Sequence, residues 1–414
     1  MAGKIYGLIG ETLKHSWSVP IHKEMGCRDY QLYEMKKEEL GSFLSREDIG
    51  GLNVTIPYKQ AVIPFCADVD PYAEAIGSVN TLVPDTDGKL HGYNTDALGL
   101  SFMAARAGIS FEGAKVVILG SGGTSLTARA VAAKEGAQEV IVVSRRGKNN
   151  YDNLDRHSGA DILINTTPVG MYPKNGECLV DPEMFSGLRG VLDVVYNPCR
   201  TEIIMRAEKL GIPCSGGLPM LVAQAAAAEE LFFSKTVPAA ETDRIIGLLR
   251  RQMTNIVLIG MPGSGKSAIG RRLSKLSGRN AIDLDKEIEE TTGRKIPEIF
   301  ATEGESFFRM LETEQVRRAG KETGRILMTG GGVVTREENY APLRQNGRIY
   351  QLDRELSRLP VEGRPVSQST TAQALYEKRA PLYERFRDVL IDNNGDPDET
   401  AEKIWKDFNE NFDH

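Results

Sequence analysis

Residues 255–267 have the sequence NIVLIGMPGSGKS, in which an apolar run leads into the spacing G-x-x-x-x-G-K-S. The apolar run, Ile256 to Ile259, predicts a buried parallel strand. The glycines that follow let the backbone turn tightly and point its N–H groups inward, as phosphate binding requires. At this spacing Lys266 reaches the outer phosphates of a nucleotide and the Ser267 hydroxyl binds Mg²⁺. A simple glycine turn before a helix is the alternative, and the complete pattern after a strand argues against it.

This loop predicts a nucleotide-binding domain that begins near residue 254, so more than half of the chain precedes it. Residues 268–273 continue as a helix whose N-terminus faces the phosphates. The predicted nucleotide-binding residues are Gly263, Ser264, Gly265, Lys266, Ser267 and Ala268.

The composition is ordinary for a globular protein. The chain has 414 residues, enough for two or three domains, with 41% hydrophobic and 26% charged residues. A net charge of −6 without a long basic run does not favour a nucleic-acid partner. Its apolar runs are strand-sized, so we expect no membrane span. Five cysteines without metal-site spacing, and no secretory pattern at the start, lead us to expect reduced thiols in the cytoplasm.

Alternating strand and helix patterns predict an α/β fold with three domains. Residues 1–100 form a first α/β domain that includes a hairpin around the turn at residues 85–88. Residues 101–252 form a Rossmann-type domain, and residues 253–414 form the nucleotide-binding domain. An Ala-rich helix at 218–235 is expected to pack back on the first domain, and a helix at 242–252 is expected to have Thr242 as its N-cap.

A second glycine turn, GSGG at residues 120–123, lies between a predicted strand and a predicted helix. A glycine turn alone is a weak signal, but this position favours a pyrophosphate cradle. After the next strand, where an acidic residue would select NAD, the chain has Ser144, Arg145 and Arg146. Two guanidinium groups suit a ribose 2′-phosphate, which predicts NADP; a solvated basic turn is the alternative.

An ordered set of short motifs surrounds this turn, and over residues 4–252 the chain resembles shikimate dehydrogenase. The motifs are HSWS at 15–18, NVTIPYK at 53–59, SVNT at 78–81, GYNTD at 92–96, NTTPVGM at 165–171 and GGLPMLVAQ at 216–224. Each motif is common alone, whereas the ordered set is specific.

The resemblance implies a role for each matching residue. Lys59 and Asp96 would be the catalytic pair, since ketone reduction needs a proton donor at the developing alkoxide and a carboxylate can position a lysine. Standing alone, the two would be interpreted as a surface ion pair. Ser16 and Ser18 would bind the substrate carboxylate; a helix N-cap is the alternative for these two serines. The residues implied to bind the ring hydroxyls are Thr55, Asn80, Tyr196 and Gln224. The implied NADP-binding residues are Gly120, Ser121, Gly122, Gly123, Thr124, Ser144, Arg145, Arg146, Val194, Gly217 and Met220.

Beyond the first glycine loop, Asp283 and Asp285 are expected to project from one face of a strand. One of these carboxylates can assist Mg²⁺ while the other accepts a hydroxyl proton. Arginines spread through the following motifs suit an anionic acceptor and a phosphoryl transition state, although any one of them is also explained as solvated surface charge. The motifs are GESFFR at 304–309, TGGG at 329–332, GRP at 363–365 and KRAPLY at 378–383.

This set resembles shikimate kinase over residues 254–410. The resemblance makes Asp285 the group on the acceptor hydroxyl and Asp283 a partner of the Mg²⁺ shell. It also implies that Arg364 reaches ATP from a lid and that Arg358 lies beside adenine. The implied shikimate-binding residues are Asp285, Arg309, Gly331, Gly332 and Arg379. The segment from Asp353 to Arg364 is shorter than is usual for the family, which places the lid assignments in question.

Together the two resemblances imply a bifunctional enzyme of aromatic biosynthesis that uses NADP(H), ATP and Mg²⁺. The first half would reduce 3-dehydroshikimate to shikimate, and the second would phosphorylate shikimate to shikimate 3-phosphate. Two alternatives remain: a quinate-type dehydrogenase joined to a kinase for another hydroxy acid, and a protein in which one domain is an inactive ligand sensor. The sequence does not determine the oligomeric state.

Overall fold

The computed structural model describes residues 3–13, 16–359 and 372–410, which form two compact α/β units. The first unit comprises the described residues up to Val169 together with Cys178–Tyr196 and Ile203–Ile246. The second comprises Gly170–Glu177, Asn197–Glu202 and the described residues from Gly247 onward. Within the described ranges, no helix combines the length and apolar character needed to cross a membrane.

The first sheet, in the first unit, has six strands in the order β2-β1-β3-β5-β6-β4. The central strands β1 and β3 run parallel, whereas β5 and β6 form the predicted antiparallel hairpin. Its strands are β1 Ile5–Gly10, β2 Tyr30–Glu34, β3 Ile49–Val54, β4 Asp68–Val69, β5 Thr81–Pro84 and β6 Leu90–Tyr93. The helices between them are α1 Ser18–Glu24, α2 Leu40–Leu44 and α3 Pro71–Ile76.

The second sheet, also in the first unit, has five parallel strands in the order β11-β10-β9-β7-β8, a Rossmann-like arrangement. Its strands are β7 Lys115–Leu119, β8 Glu139–Val143, β9 Ile162–Asn165, β10 Gly190–Asp193 and β11 Cys214–Ser215. The helices of this region are α4 Thr95–Arg106, α5 Gly123–Lys134, α6 Glu202–Lys209 and α7 Leu218–Phe233. Helix α7 packs on α4, and it also contacts α1 and β3.

Helix α8, Ala239–Met253, begins earlier than the sequence pattern predicts. The prediction that Thr242 is its N-cap is wrong. The carbonyl of Pro238 already accepts the backbone N–H groups of Glu241 and Thr242, so Thr242 lies inside the first turn.

The third sheet, in the second unit, has five parallel strands in the order β13-β14-β12-β15-β16. Its strands are β12 Asn255–Ile259, β13 Ala281–Asp283, β14 Ile326–Met328, β15 Gly347–Asp353 and β16 Val389–Asp392. Its helices are α9 Lys266–Ser277, α10 Leu284–Thr292, α11 Ile296–Lys321, α12 Tyr340–Arg344, α13 Ala372–Phe386 and α14 Pro397–Glu410. Strand β12 is fully buried, as its unbroken apolar run predicts.

The predicted strand through Asp285 ends at Asp283, which corrects the sequence interpretation. Leu284 begins α10, so Asp285 lies in the first turn of a helix rather than on the strand face of Asp283. Both side chains nevertheless line the same cavity, because the strand ends where the helix begins.

Candidate active sites

The first candidate site is organised around Lys59 and Asp96, which are far apart in sequence and adjacent in space. Lys59 Nζ lies 2.5 Å from Asp96 Oδ2, and the two side chains are only 17% and 5% exposed. Asp96 lies in the first turn of α4, which begins after Asn94, whose side chain accepts the Ala97 N–H. A pair this buried is not the surface ion pair that the sequence left open.

Asn80 connects this pair to helix α7. Its Oδ1 accepts the backbone N–H of Thr95 at 2.7 Å, and its Nδ2 lies 3.4 Å from Gln224 Oε1. The residue before it, Val79, donates its N–H to the Lys59 carbonyl at 2.9 Å. Four residues that the motifs singled out, Lys59, Asn80, Asp96 and Gln224, therefore form one polar constellation.

The remaining predicted substrate residues lie at the start of α1, after β3 and after β10. The hydroxyls of Ser16 and Ser18 are 3.1 Å apart, and Ser16 Oγ accepts the Ser18 N–H. Trp17 is the N-cap of α1, so neither serine is the helix N-cap that the alternative interpretation requires. Thr55 follows β3 and donates its N–H to Ile9. Burial raises the pKa of Tyr196, which keeps its hydroxyl protonated and able to donate. His15, the first residue of the HSWS motif, lies outside the described residues.

The glycine turn after β7 has the shape of a phosphate cradle. Gly122 is the N-cap of α5, so the free N–H groups of the helix point toward the turn. A Cβ added at Gly122 or Gly123 would meet no protein atom within 4 Å, which leaves room for a pyrophosphate. Ser121 is exposed in the turn and Thr124 lies in the first helical turn.

The other predicted NADP residues lie at strand ends of the same sheet. Ser144 follows β8 and donates its hydroxyl to the Arg146 carbonyl at 2.5 Å, while Arg145 and Arg146 are exposed. Gly217 donates its N–H to Val195, and a Cβ at this position would overlap the Val194 carbonyl. Glycine is therefore needed for this close approach. Val194 and Met220 pack in one hydrophobic cluster, and Val194 lies against Gly217. That these residues contact NADP stays a prediction.

The second candidate site is a cavity of about 530 Å³ in the second unit. The loop after β12, the β13–α10 junction, α11, the turn after β14 and α13 all contribute to its lining. The predicted residues that line it are Gly263, Gly265, Lys266, Ser267, Ala268, Asp283, Asp285, Arg309, Gly331, Gly332 and Arg379.

The phosphate end of this cavity is built by the first glycine loop. Lys266 Nζ donates to the carbonyls of Gly260 and Met261 at 2.8 and 3.0 Å, which holds the lysine across the loop. Ser267 Oγ donates to Asp283 Oδ2 at 2.8 Å, the pairing expected of residues that hold Mg²⁺. Ser264 Oγ is buried without a hydrogen-bond partner among the described residues, as it would be at a phosphate site. These residues fit a nucleotide with its cation.

The acceptor end of the cavity is built around Asp285. Burial, and next the negative charge of Glu312, raise the pKa of Asp285 to about 7. Arg309 donates to Glu312 at 2.8 Å, and its guanidinium lies against Gly332, where an added Cβ would displace it. The acceptor end therefore contains the Asp285 carboxyl, with a pKa of about 7, and the buried guanidinium of Arg309.

Three residues to which the sequence assigns no role support the site, Glu312 and Tyr383 at the acceptor end and Asn393 at the phosphate end. Glu312 lies one helical turn after Arg309 on α11, a spacing that predicts the contact in hindsight. Tyr383 donates its hydroxyl to the Gly331 carbonyl at 2.5 Å, beside the Arg379 donor at 3.0 Å. Asn393 donates to the Ser264 carbonyl at 2.6 Å, a contact between distant segments that no local pattern reveals.

The two lid predictions have different outcomes. Arg358 is exposed and donates to the Asn394 carbonyl at 2.6 Å, and it is not among the residues that line the cavity. The structure therefore does not bring Arg358 into the site. Arg364 lies outside the described residues.

Comparison with protein families gives one match in each part of the chain. The model described as "Shikimate dehydrogenase substrate binding domain" matches residues 8–82. The model described as "Shikimate kinase" matches residues 262–409, which span the cavity of the second unit.

Comparison with individual proteins gives relatives of the N-terminal part. The shikimate dehydrogenase (NADP(+)) of Clostridium beijerinckii is 35% identical over 249 residues, which are 55% of this chain and 92% of that protein. Among solved structures, a chorismate mutase/shikimate 5-dehydrogenase fusion protein from Clostridium acetobutylicum is 36% identical, with a TM-score of 0.58 over 60% of this chain and 97% of that chain. The shikimate 5-dehydrogenase of Thermus thermophilus in complex with NADP(H) and shikimate is 26% identical, with a TM-score of 0.54 over 59% of this chain and 98% of that chain.

Proposed function

We infer two successive reactions from the fact that this chain belongs to the shikimate dehydrogenase family and carries a shikimate kinase domain at its C-terminal end. The chain is a bifunctional shikimate-pathway enzyme with NADP-dependent dehydrogenase and ATP-dependent kinase activities. In our proposal its first site reduces 3-dehydroshikimate to shikimate, and its second phosphorylates shikimate to shikimate 3-phosphate. The observation that carries the proposal is that each unit holds one complete constellation, the Lys59–Asp96 pair in one and the Asp285 cavity in the other.

In the first reaction Lys59 supplies the proton. Bound NADPH provides the hydride, and the alkoxide that develops on the substrate then takes a proton from the Lys59 ammonium. Asp96, in contact with Lys59 at 2.5 Å, holds the lysine in place. Asn80 and Gln224 are proposed to hold ring hydroxyls, and Ser16 and Ser18 the carboxylate.

In the second reaction Asp285 accepts the proton of the attacking hydroxyl. Its Oδ1 is buried without a hydrogen-bond partner among the described residues, so it can accept from a substrate. Arg309 and Arg379 supply positive charge for the substrate carboxylate, and Lys266 supplies it for the transferred phosphoryl group. Bound Mg²⁺ neutralises phosphate charge, and the Ser267 hydroxyl and Asp283 are the groups placed to hold it.

We also propose that the domains meet near residue 253 and that residues 1–100 and 101–252 form the two dehydrogenase domains. The second compact unit takes in Asn197–Glu202, where Cys199 donates its N–H to Asn346 Oδ1 at 2.8 Å. A fragment starting at residue 253 would lose that contact but keep every residue that lines the cavity. It should therefore keep kinase activity with a lower melting temperature; loss of activity at temperatures where the fragment is folded would contradict the boundary. We also propose a cytoplasmic location, where a reducing environment keeps cysteine thiols reduced.

Substrate panels test the two assignments separately. The dehydrogenase should oxidise shikimate with NADP⁺ far faster than quinate, and the kinase should consume ATP with shikimate but not with quinate. A preference for quinate in the first assay would replace the proposed substrate. Absence of turnover in one assay would make that domain a binding module.

A further inference from the structure

A buried polar cluster lies on the helices beside the dehydrogenase site and has no role in the reaction described above. His22 Nδ1 and Glu229 Oε1 are 2.7 Å apart, and the side chains are 1% and 0% exposed. The second carboxylate oxygen of Glu229 accepts from Lys235 Nζ at 2.8 Å. Both oxygens of this buried carboxylate are therefore partnered, which its burial requires.

The imidazole of His22 acts as the donor in this contact. Burial lowers the pKa of His22, and the Lys235 ammonium already balances the charge of Glu229. Near pH 7 the ring is therefore neutral and donates its Nδ1–H to the carboxylate. A hydrogen bond of this kind fixes direction as well as distance between two helices, because His22 lies on α1 and Glu229 on α7.

The same imidazole lies against the sheet that carries the substrate residues. It stacks on Tyr30 with ring centroids 3.7 Å apart and an interplanar angle of 7°. The Tyr30 hydroxyl donates to Asn53 Oδ1 at 2.7 Å, and Asn53 Nδ2 donates to Thr81 Oγ1 at 3.1 Å. A series of contacts therefore runs from His22 through the side chains of Tyr30, Asn53 and Thr81 to Asn80.

The orientation of the amides at the end of this chain of contacts follows from one backbone donor. Thr95 donates its N–H to Asn80 Oδ1, so Asn80 Nδ2 is the group that faces Gln224 Oε1. Thr81 Oγ1 donates to the same Asn80 oxygen at 3.1 Å. Gln224 is thereby oriented with its amide nitrogen available for a substrate hydroxyl.

Helix α7 is thus held at two points, at Gln224 by Asn80 and at Glu229 by His22. Helix α1 carries His22 and begins at Ser18. The His22–Glu229 contact therefore sets the spacing between α1 and α7. Helix α1 begins with Ser18, the proposed carboxylate ligand, and α7 carries Gln224, the proposed hydroxyl ligand.

We propose that His22 and Glu229 are positioning residues of the dehydrogenase, which set substrate affinity by aligning Ser18 on α1 with Gln224 on α7. The inference rests on the proposed function, since it uses the substrate roles of Ser18 and Gln224. Packing alone does not require these residue types, because buried polar pairs are often replaceable by apolar side chains of similar volume without loss of stability. What the pair adds is a fixed orientation.

The test compares two replacements of His22 in the full chain. His22→Phe keeps the stack on Tyr30 but has no N–H, and His22→Asn offers an amide N–H near the position of Nδ1. His22→Phe should raise KM for shikimate at least tenfold while kcat, KM for NADP⁺ and kinase activity stay within about threefold. His22→Asn should recover most of the loss. Leu40→Ala, a buried change in another core cluster of the same unit, is the control that lowers melting temperature without changing KM.

A double-mutant cycle with Gln224→Ala separates positioning from general destabilisation. If His22 acts through Gln224, His22→Phe should add little to the KM effect of Gln224→Ala. Additive effects, an unchanged KM in His22→Phe, or an equal rise in Leu40→Ala would each overturn the inference. If His22→Phe does not fold, Glu229→Gln is the second variant, because it keeps the shape of the acceptor. It should raise KM for shikimate at least threefold, and an unchanged KM overturns the inference.

Failure of the proposed function gives a different result. A wild-type enzyme that does not oxidise shikimate with NADP⁺ would overturn the proposed function and this inference with it. A wild-type enzyme that does so, with variants that match it, would overturn the inference alone.

Discussion

Asp285 and Glu312 approach the same glycine from two different helices, α10 and α11. A Cβ at Gly330 would lie 2.8 Å from Asp285 Oδ1 and 2.5 Å from Glu312 Oε1, and neither oxygen has a hydrogen-bond partner among the described residues. Two buried carboxyls that face one point resist ionising together. Burial is the main cause that raises the pKa of Asp285 to about 7, and the nearby charge of Glu312 is the next.

The raised pKa predicts the acid limb of the kinase pH profile. Asp285 must be ionised to accept a proton, so kcat/KM for shikimate should fall as the pH drops through about 7. Because the charge of Glu312 raises the pKa of Asp285, Glu312→Gln should move the acid limb to lower pH. The measurement is kcat/KM between pH 5 and pH 9 for both proteins; a limb that stays in place or moves to higher pH contradicts the coupling.

Asp285→Asn and Lys266→Ala should each reduce phosphoryl transfer by at least about 10²-fold, because the reaction depends on positioned charge. Asp285→Asn should still bind ATP, since Asp285 lies at the acceptor end of the cavity. Glu290→Gln, an exposed change on the same helix, is the matched control. Turnover and nucleotide titration measure the two effects, and an Asp285→Asn enzyme of normal activity would remove Asp285 from the mechanism.

Lys59→Ala and Asp96→Asn should lower dehydrogenase kcat by about 10²–10⁴-fold, the usual cost of losing a general acid or its partner. Kinase activity of the same preparations should be unchanged, which verifies folding of the second unit. The control is Lys89→Ala, an exposed lysine in the hairpin turn. Either variant within threefold of wild type would exclude that residue from the chemistry.

Arg145→Ala/Arg146→Ala should reduce the preference for NADPH over NADH. The two exposed guanidinium groups follow β8, where a ribose 2′-phosphate would lie, so their loss should raise KM for NADPH and leave KM for NADH unchanged. Arg156→Ala is the control for a general loss of positive charge. An unchanged ratio of kcat/KM for the two cofactors would assign the arginines to a solvated turn.

Local sequence patterns predict most of the fold because the periodicity of each segment agrees with its burial. Strand β12 and helix α9 follow from an apolar run and a glycine loop. The errors lie at element boundaries. The polar residue Thr242 resembles a helix cap but lies within a turn that Pro238 has already begun. The alternation of Asp283 and Asp285 predicts a strand, but it does not show that the helix begins at Leu284.

The sites were less predictable than the fold because their geometry depends on contacts between distant segments. Taken from the local sequence, Lys59 and Asp96 are two ordinary charged residues. Only the ordered set of motifs indicates that their side chains are in contact. The role of Asn393 depends on packing between distant segments that no local pattern contains. Arg358 shows the reverse case, a residue that the resemblance places beside adenine but that does not line the cavity.

The central claim is that one chain catalyses both steps, and a coupled assay tests it most directly. Purified protein is mixed with 3-dehydroshikimate, NADPH and Mg·ATP, and both NADPH oxidation and ADP formation are followed with time. The account predicts that NADPH is oxidised first and that ADP appears after a lag, with one shikimate 3-phosphate formed for each NADPH and each ATP consumed. NADPH oxidation without ADP formation, or ADP formation that does not require NADPH, would contradict it.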